Sequence, residues 1–255
     1  MSDINRWTGP SGLTYYNEND PQWLWNYLQS NGGLSDDALA GLFGNLYQES
    51  HCCPFELEGW ETQYEKCLDF VINNVRTLQT AQQFANQGYG SGKGFGLAQW
   101  TEQSRKKSLY NWPNAANNTH YLLGDMVRDA EYLLHDLQTW STHTSVKTAY
   151  WDAQNKTVWQ WLTTPNVSVY DAMMAVLMLY EVPFAQWNPP DSQIDREVNV
   201  RSNYATKVPQ DLAGYTPVPP TPPTPPTPPT PPTPPTPTAG IPIWMLFKLK
   251  ERGDI

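Results

Sequence analysis

The chain has 255 residues, 39% hydrophobic and only 16% charged, with 12 Trp, 14 Tyr and a net charge of -9. That acidic balance excludes nucleic acid as a partner, because binding phosphate needs a basic face. No stretch approaches the roughly 18 apolar residues of a membrane span, and the residues before a proline-rich tract suffice for one large domain or two small lobes with a real core.

The N-terminal MSDINRWTGPSG carries neither a basic n-region nor an apolar h-region, so it does not read as a secretory signal. Asp20-Pro21 predicts the start of a first helix, with Asp as cap and Pro at the first helical position. Trp23, Leu24, Tyr27 and Leu28 form its apolar face, and Gly32-Gly33 ends it. Ser35 then reads as the cap of a second helix to Glu49, with Asp36 and Asp37 where the helix dipole favours negative charge. Leu39, Leu42, Phe43 and Leu46 recur on one face of that helix. Glu49 falls inside the same apolar stripe. A carboxyl group so placed is partly desolvated, which favours the protonated form that a general acid needs. The alternative is that Glu49 swings out to water at the helix end. His51-Cys52-Cys53-Pro54 breaks the helix directly after it.

Residues 55–69 are acidic, carrying Glu56, Glu58, Glu61 and Glu65. Short helices are expected near 66–75 and 79–86. From Gly88 to Gly96 every second residue is glycine, which predicts a tightly turned lip with a little strand structure. The spacing matches no phosphate-binding loop. Thr101 is expected to cap a helix reaching about Tyr110, and residues 119–139 to form a long amphipathic helix. Residues 154–162 should be helical with Trp159 and Leu162 inward. The stretch 171–181, DAMMAVLMLYE, is apolar nearly all round and is expected to be the buried axis, ending at Tyr180 and Glu181. A last helix is expected over 191–206. Residues 216–238 repeat Pro-Pro-Thr, a polyproline II spacer. Beyond it, Ile241 to Phe247 are apolar and Lys248 to Asp254 charged. That tail suits docking to another protein, or is a vestigial apolar end.

The pair GNLYQES (residues 44–50) and GFGLAQWT (residues 94–101), followed by Arg105, Lys106 and Leu109, resembles the phage tail lysozyme family. The likeness continues through Leu57, Tyr64 to Lys66, Phe84 and Tyr180-Glu181-x-Pro183, and so spans roughly residues 21 to 208. A wider echo is the lytic transglycosylase pattern of an ES pair followed by Gly-Leu-x-Gln. The resemblance implies a mainly α, lysozyme-like helical domain with a small glycine-rich or β lip, over residues 1–212. A polyproline spacer (213–238) and a short C-terminal tail (239–255) would follow. The implied activity is cleavage of the β-1,4 glycan of peptidoglycan, with Glu49 in the catalytic glutamate position. Glu181 matches the family's later motif and is the candidate second carboxylate, or else anchors backbone or Arg groups. Ser50, Gln99, Trp100 and Tyr180 are the candidate substrate contacts, although Trp100 and Tyr180 also suit a core. Arg105 and Lys106 match a basic pair, or form a solvated helix face. Glu58 and Glu61 are further candidates for the second carboxylate, or solvated surface charges.

Glycoside hydrolysis needs an acid for the leaving oxygen and a group that stabilises or attacks the oxocarbenium ion. Lytic transglycosylases manage with one Glu, and the sequence leaves hydrolysis and transglycosylation open. No cofactor or metal is expected: HExxH is absent and the four histidines, His51, His120, His135 and His143, have no metal spacing. No GxSxG elbow occurs. Cys52, Cys53 and Cys67 are an odd count that reads as reduced thiols, with a bridge from Cys52 or Cys53 to Cys67 as the alternative. The expected partners are glycan strands and, through the tail, phage tail proteins. A chain made in a cytosol without a signal fits a virion tail lysin or an endolysin released through a membrane hole. The rival from another class is a non-catalytic wall-binding or tail-structural module, in which Glu49 is incidental.

Overall fold

The structure is a computed structural model and describes residues 6–17, 19–86, 93–112, 122–143, 150–181 and 190–212. The middle of the glycine lip, the spacer and the tail lie outside the described residues, as do Pro183, residues 113–121 with His120, and residues 144–149.

The domain is mainly helical. A two-residue antiparallel pair, β1 (Trp7–Thr8) and β2 (Thr14–Tyr15), precedes α1 (Asn19–Gly32) and α2 (Asp36–Ser50). Then come α3 (Tyr64–Phe70), extended by a π-turn over Val71–Val75, α4 (Ala81–Asn86), α5 (Gln103–Asn111) and α6 (Met126–Thr139). The chain continues with α7 (Val158–Leu162), α8 (Val169–Ala175), which runs into a π-turn over Val176–Glu181, and α9 (Asp191–Leu212).

Helix α2 sits at the centre, as its apolar sequence dictates. Leu39, Leu42, Phe43 and Leu46 have no exposed surface. Two glycines let its neighbours approach the backbone: a Cβ on Gly41 would lie 2.5 Å from the Met173 nitrogen in α8, and one on Gly44 would lie 2.6 Å from the Arg201 carbonyl oxygen in α9. Helix α8 and its π-turn are buried from Ala172 to Tyr180, the expected axis. Asp211 at the end of α9 accepts hydrogen bonds from the Ser11 amide, the Ser11 hydroxyl and the Tyr15 hydroxyl, which ties the N-terminal pair to the helical body.

Several element boundaries move, each for a local reason. Helix α1 is entered through Asn17, whose side-chain oxygen accepts the Asp20 amide at 2.8 Å, so Asp20 lies in the first turn and is not the cap. Helix α5 starts at Gln103 after Glu102, because the Thr101 hydroxyl donates backward to the Gln99 carbonyl. Helix α6 starts only at Met126, where Asp125 accepts the Val127 and Arg128 amides after a left-handed Gly124. Helix α7 starts at Val158 with a Thr157–Gln160 capping box, and Trp161 points inward while Trp159 is half-buried. Helix α9 runs six residues past the expected end and contains Pro209.

Asp20 sits where α1 meets α6. Burial, with the Asp125 charge adding to it, pushes its carboxyl from 3.8 up to about 6. The folded chain therefore holds a proton that the unfolded chain has released between those values. Stability falls as pH rises through that window and stays lower above it. Asp20→Asn should raise Tm at pH 8 by about 2–4 °C, what roughly 1 kcal/mol gives for a chain of this size, and leave it unchanged at pH 3. Equal shifts at both pH values in a thermal melt would refute this account.

Candidate active site

The last turn of α2 presents Glu49, whose side chain is 23% exposed, beside fully buried Ser50. The chain then turns sharply through two consecutive left-handed residues, His51 (φ 52°) and Cys52 (φ 59°). Such a conformation costs a non-glycine residue on the order of 1 kcal/mol or more and persists only where its surroundings hold it. Here the His51 amide donates to Tyr47 and the Cys52 amide to Leu46, closing the helix end.

Arg201 in α9 meets Glu49 from across α2. Its guanidinium donates to Glu49 Oε1, to Glu197 Oε2 and, through Nε, to Asn45 Oδ1 at 2.9 Å. Asn45 in turn donates to the Gly41 and Met173 carbonyls, which fixes the position of its oxygen. Arg201 is 3% exposed. Burial pushes the Glu49 carboxyl above the ordinary glutamate range against the pull of Arg201, and the charges of Glu197 and Glu58 add to the push.

Glu181 ends the π-turn that follows α8. Its Oε1 is buried and receives no hydrogen bond. Burial raises this carboxyl well above its usual range, and the next largest cause is the charge of Glu49; Arg105 and Arg201 pull the other way. The two carboxyl groups thus form one electrostatic pair. A pair of this kind loses its protons in two steps that belong to the pair.

Behind Glu181 lies a buried hub. Asp136 of α6 accepts four hydrogen bonds on Oδ2: from Trp100 Nε1 (3.1 Å), Arg105 Nε (3.0 Å), Arg105 Nη2 (2.7 Å) and the Tyr180 hydroxyl (2.7 Å). The Arg105 guanidinium lies 4.3 Å from the Tyr180 ring centroid and 4.6 Å from that of Trp140. Arg105 and Lys106 are both buried, so the solvated-face reading of that pair is corrected.

The lip is built on a short β-like contact, Leu57 opposite Phe95, flanked by hydrogen bonds from the Glu58 amide to Gly94 and from the Gly96 amide to Glu56. Gly96 has φ +77°, and a Cβ there would lie 2.7 Å from an Asp129 carboxylate oxygen and 2.9 Å from the Trp100 ring. Gln99 donates to the Glu56 and Gly96 carbonyls, and its Oε1 is buried without a partner. The Ser50 hydroxyl donates to the Leu97 carbonyl at 2.7 Å, stitching the lip to the turn after Glu49.

Of the residues singled out in the sequence, Glu49 and Glu181 lie within reach of each other's charge. Ser50, Trp100 and Tyr180 are fully buried, and their polar atoms bond within the protein, so they stand behind the site wall; the Gln99 amide is likewise turned into the lip. Glu58 and Glu61 are exposed, the former accepting the Gly94 amide and the latter the Gly59 amide. Glu56, in contrast, is buried against His51. Cys52, Cys53 and Cys67 are buried free thiols.

Sequence reading passed over Arg201, Asp136 and Glu56. Arg201 did carry a signal of the same kind as Glu49: it falls on the apolar stripe Ile194, Val198, Ala205, Val208. Among the described residues no group of His, Cys, Asp or Glu is placed to hold a metal, and no helix is long and apolar enough to cross a membrane. The family model for phage tail lysozyme matches residues 21–212. No curated protein matches the sequence.

Proposed function

The chain belongs to the phage tail lysozyme family, and on that premise we propose that it cleaves the β-1,4 glycan of peptidoglycan as an N-acetylmuramidase with Glu49 as the general acid. The observation that carries this reading is the Glu49–Glu181 pair: two desolvated carboxyl groups, each with its pKa raised, at the ends of the two most buried helices. A pair in which burial and mutual repulsion oppose full ionisation is a proton source. Glu49, the member of the pair that closes α2 with part of its side chain in solvent, delivers the proton.

In the hydrolytic route Glu49 gives its proton to the glycosidic oxygen as the C1–O bond breaks. Water then adds to C1 and returns a proton to a carboxylate, leaving a new reducing end. Glu49's charge opposes ionisation of Glu181, and wherever Glu181 does ionise its charge opposes ionisation of Glu49 in return. Ser50, Gln99, Trp100, Tyr180 and Asp136 position the lip and the pair. Residues 1–212 would be the catalytic domain, 213–238 a stiff spacer and 239–255 a tether to tail proteins, which favours a virion lysin over a free endolysin.

A second reading, lytic transglycosylation, has the unpartnered Glu181 oxygen in its favour. A Glu181 that keeps its proton leaves Glu49 as the one working carboxylate, and the C6 hydroxyl of the muramic acid attacks C1 in place of water. Mass spectrometry of digested peptidoglycan separates the two. New reducing-end muramic acid supports the muramidase, and 1,6-anhydro ends support the transglycosylase. Absence of both products would overturn the glycosidase reading.

A further inference from the structure

Arg201 is shared between two carboxylates, and the sharing is unequal. Its Nη1 donates to Glu197 Oε2 and its Nη2 to Glu49 Oε1, while Nε is taken by Asn45. All three guanidinium nitrogens are thereby engaged, and the close approach of Gly44 to the Arg201 carbonyl pins the backbone beneath them. Glu197 stands four residues before Arg201 on α9, the order and spacing in which a helix supports such a pair by itself. Its other oxygen, Oε1, accepts from Arg196 at 3.1 Å, so both oxygens rest on guanidinium groups. Glu49 comes from a different helix and is bonded through Oε1 alone among the described residues.

A guanidinium is a permanent cation, and one buried as deeply as Arg201 needs a counter-charge. Four carboxyl groups act on this spot: Glu49 of α2, Glu197 of α9, Glu58 ahead of the lip and Glu181 of the π-turn. The other cations are engaged or solvated. Arg105 is held by Asp136, and Arg196 has 70% of its side chain exposed, where an ion pair is weak. Glu58 also acts on Lys106, and His51 turns to Glu56. Full ionisation would leave anions in excess around Arg201, so the site favours a proton on one of them. Against the push of burial, Arg201 and then Arg196 hold the Glu197 carboxyl below the ordinary glutamate range, whereas burial carries Glu49 above it. Two glutamates on one guanidinium are thus driven apart, as an acid and a fixed charge require.

We propose that Glu197 is the fixed counter-charge of Arg201, a positioning residue that leaves Glu49 free to carry the reactive proton on Oε2. Arg201 then donates to Oε1 of a neutral Glu49 and holds the acid at the end of α2, with its O–H turned away from the guanidinium. Without Glu197, Glu49 would be the one carboxylate still bonded to Arg201, and the guanidinium would keep it ionised. The role in catalysis rests on reading Glu49 as the general acid; the electrostatic role does not.

The test is a pH titration of the glutamate side-chain carboxyls by carbon-13 NMR in the full chain, with Glu49 and Glu197 assigned by the loss of each signal on substitution with Gln. In the wild type Glu197 should titrate below Glu49; the reverse order overturns the proposal without any variant. Glu197→Gln should lower the Glu49 midpoint by about one pH unit or more, the order that a neighbouring charge imposes. The alkaline limb of glycan cleavage should move down with it. The fold should survive, since Arg201 keeps Glu49 and Asn45. Glu197→Asp, which keeps the charge, should restore most of the shift. A residue that merely braces α9 would lower the rate at every pH and leave the Glu49 midpoint in place, and that result overturns the proposal. A midpoint that falls as far in Glu197→Asp as in Glu197→Gln does so too. A midpoint that falls in a chain cutting no glycan would keep the role of Glu197 and remove the glycosidase.

Discussion

Glu49→Gln is expected to lower the rate of glycan cleavage by about 10³-fold, within the roughly 10²–10⁴-fold range that a positioned acid contributes. The substitution keeps the shape of the side chain and removes only its proton chemistry. Arg201 retains Glu197 and Asn45 as partners, so the fold should survive. Circular dichroism and a melt within a few degrees of the wild type would establish that the loss is chemical. An active Glu49→Gln protein would end the assignment.

Glu181→Gln distinguishes the two roles open to the second carboxyl group. If Glu181 works by holding the proton on its partner, removing its charge lets Glu49 ionise at lower pH. Activity requires protonated Glu49, so it is present below the folded pKa and lost as pH rises through it. The alkaline limb of the pH–rate profile should then move to lower pH while the rate at acidic pH is kept. A nucleophilic or basic Glu181 predicts instead a loss at every pH.

Much of this site was legible because its residues break a pattern. Glu49 stood out as a carboxylate in a helical apolar stripe, and the axis 171–181 stood out by being apolar all round. Both are statements about period, which the chain carries locally. The partners of those residues were harder to read. Asp136 looks in sequence like any acidic residue on an amphipathic helix. Only the folding of α5 and α8 against α6 brings Trp100, Arg105 and Tyr180 to the same oxygen. The π-turn that delivers Glu181 depends on backbone hydrogen bonding that periodicity does not encode. Substrate contacts assigned to Gln99, Trp100 and Tyr180 rested on their motif; burial places Trp100 and Tyr180 in the wall of the site, and the Gln99 amide is bonded to the lip backbone. The late start of α6 was readable in hindsight from Gly124-Asp125, a left-handed residue followed by a cap, which outweighs the apolar spacing of Leu122 and Leu123.

Asp136 carries the largest stability effect. Its carboxylate compensates Arg105, which is buried between two aromatic rings with no other carboxylate bonded to it among the described residues. Asp136→Asn keeps the size of the side chain but leaves a desolvated guanidinium without its counter-charge, and such losses cost about 3–5 kcal/mol. For a chain of this length Tm should fall by about 10 °C. The cost lies mainly in the stranded charge, so removing Arg105 as well should recover part of it: the Arg105→Met/Asp136→Asn double variant should melt higher than Asp136→Asn alone. The Trp100 indole and the Tyr180 hydroxyl would still have an amide oxygen to donate to, which limits the remaining loss. A fall of less than about 1 kcal/mol for Asp136→Asn, or strict additivity in the cycle, would show that surrounding groups screen Arg105 without Asp136. Because Asp136 also holds the end of α8 through Tyr180, Asp136→Asn should loosen Glu181 and shift the alkaline limb of the pH–rate profile. Arg105→Met should move that limb upward, since Arg105 is a cation that favours the ionised form of Glu181.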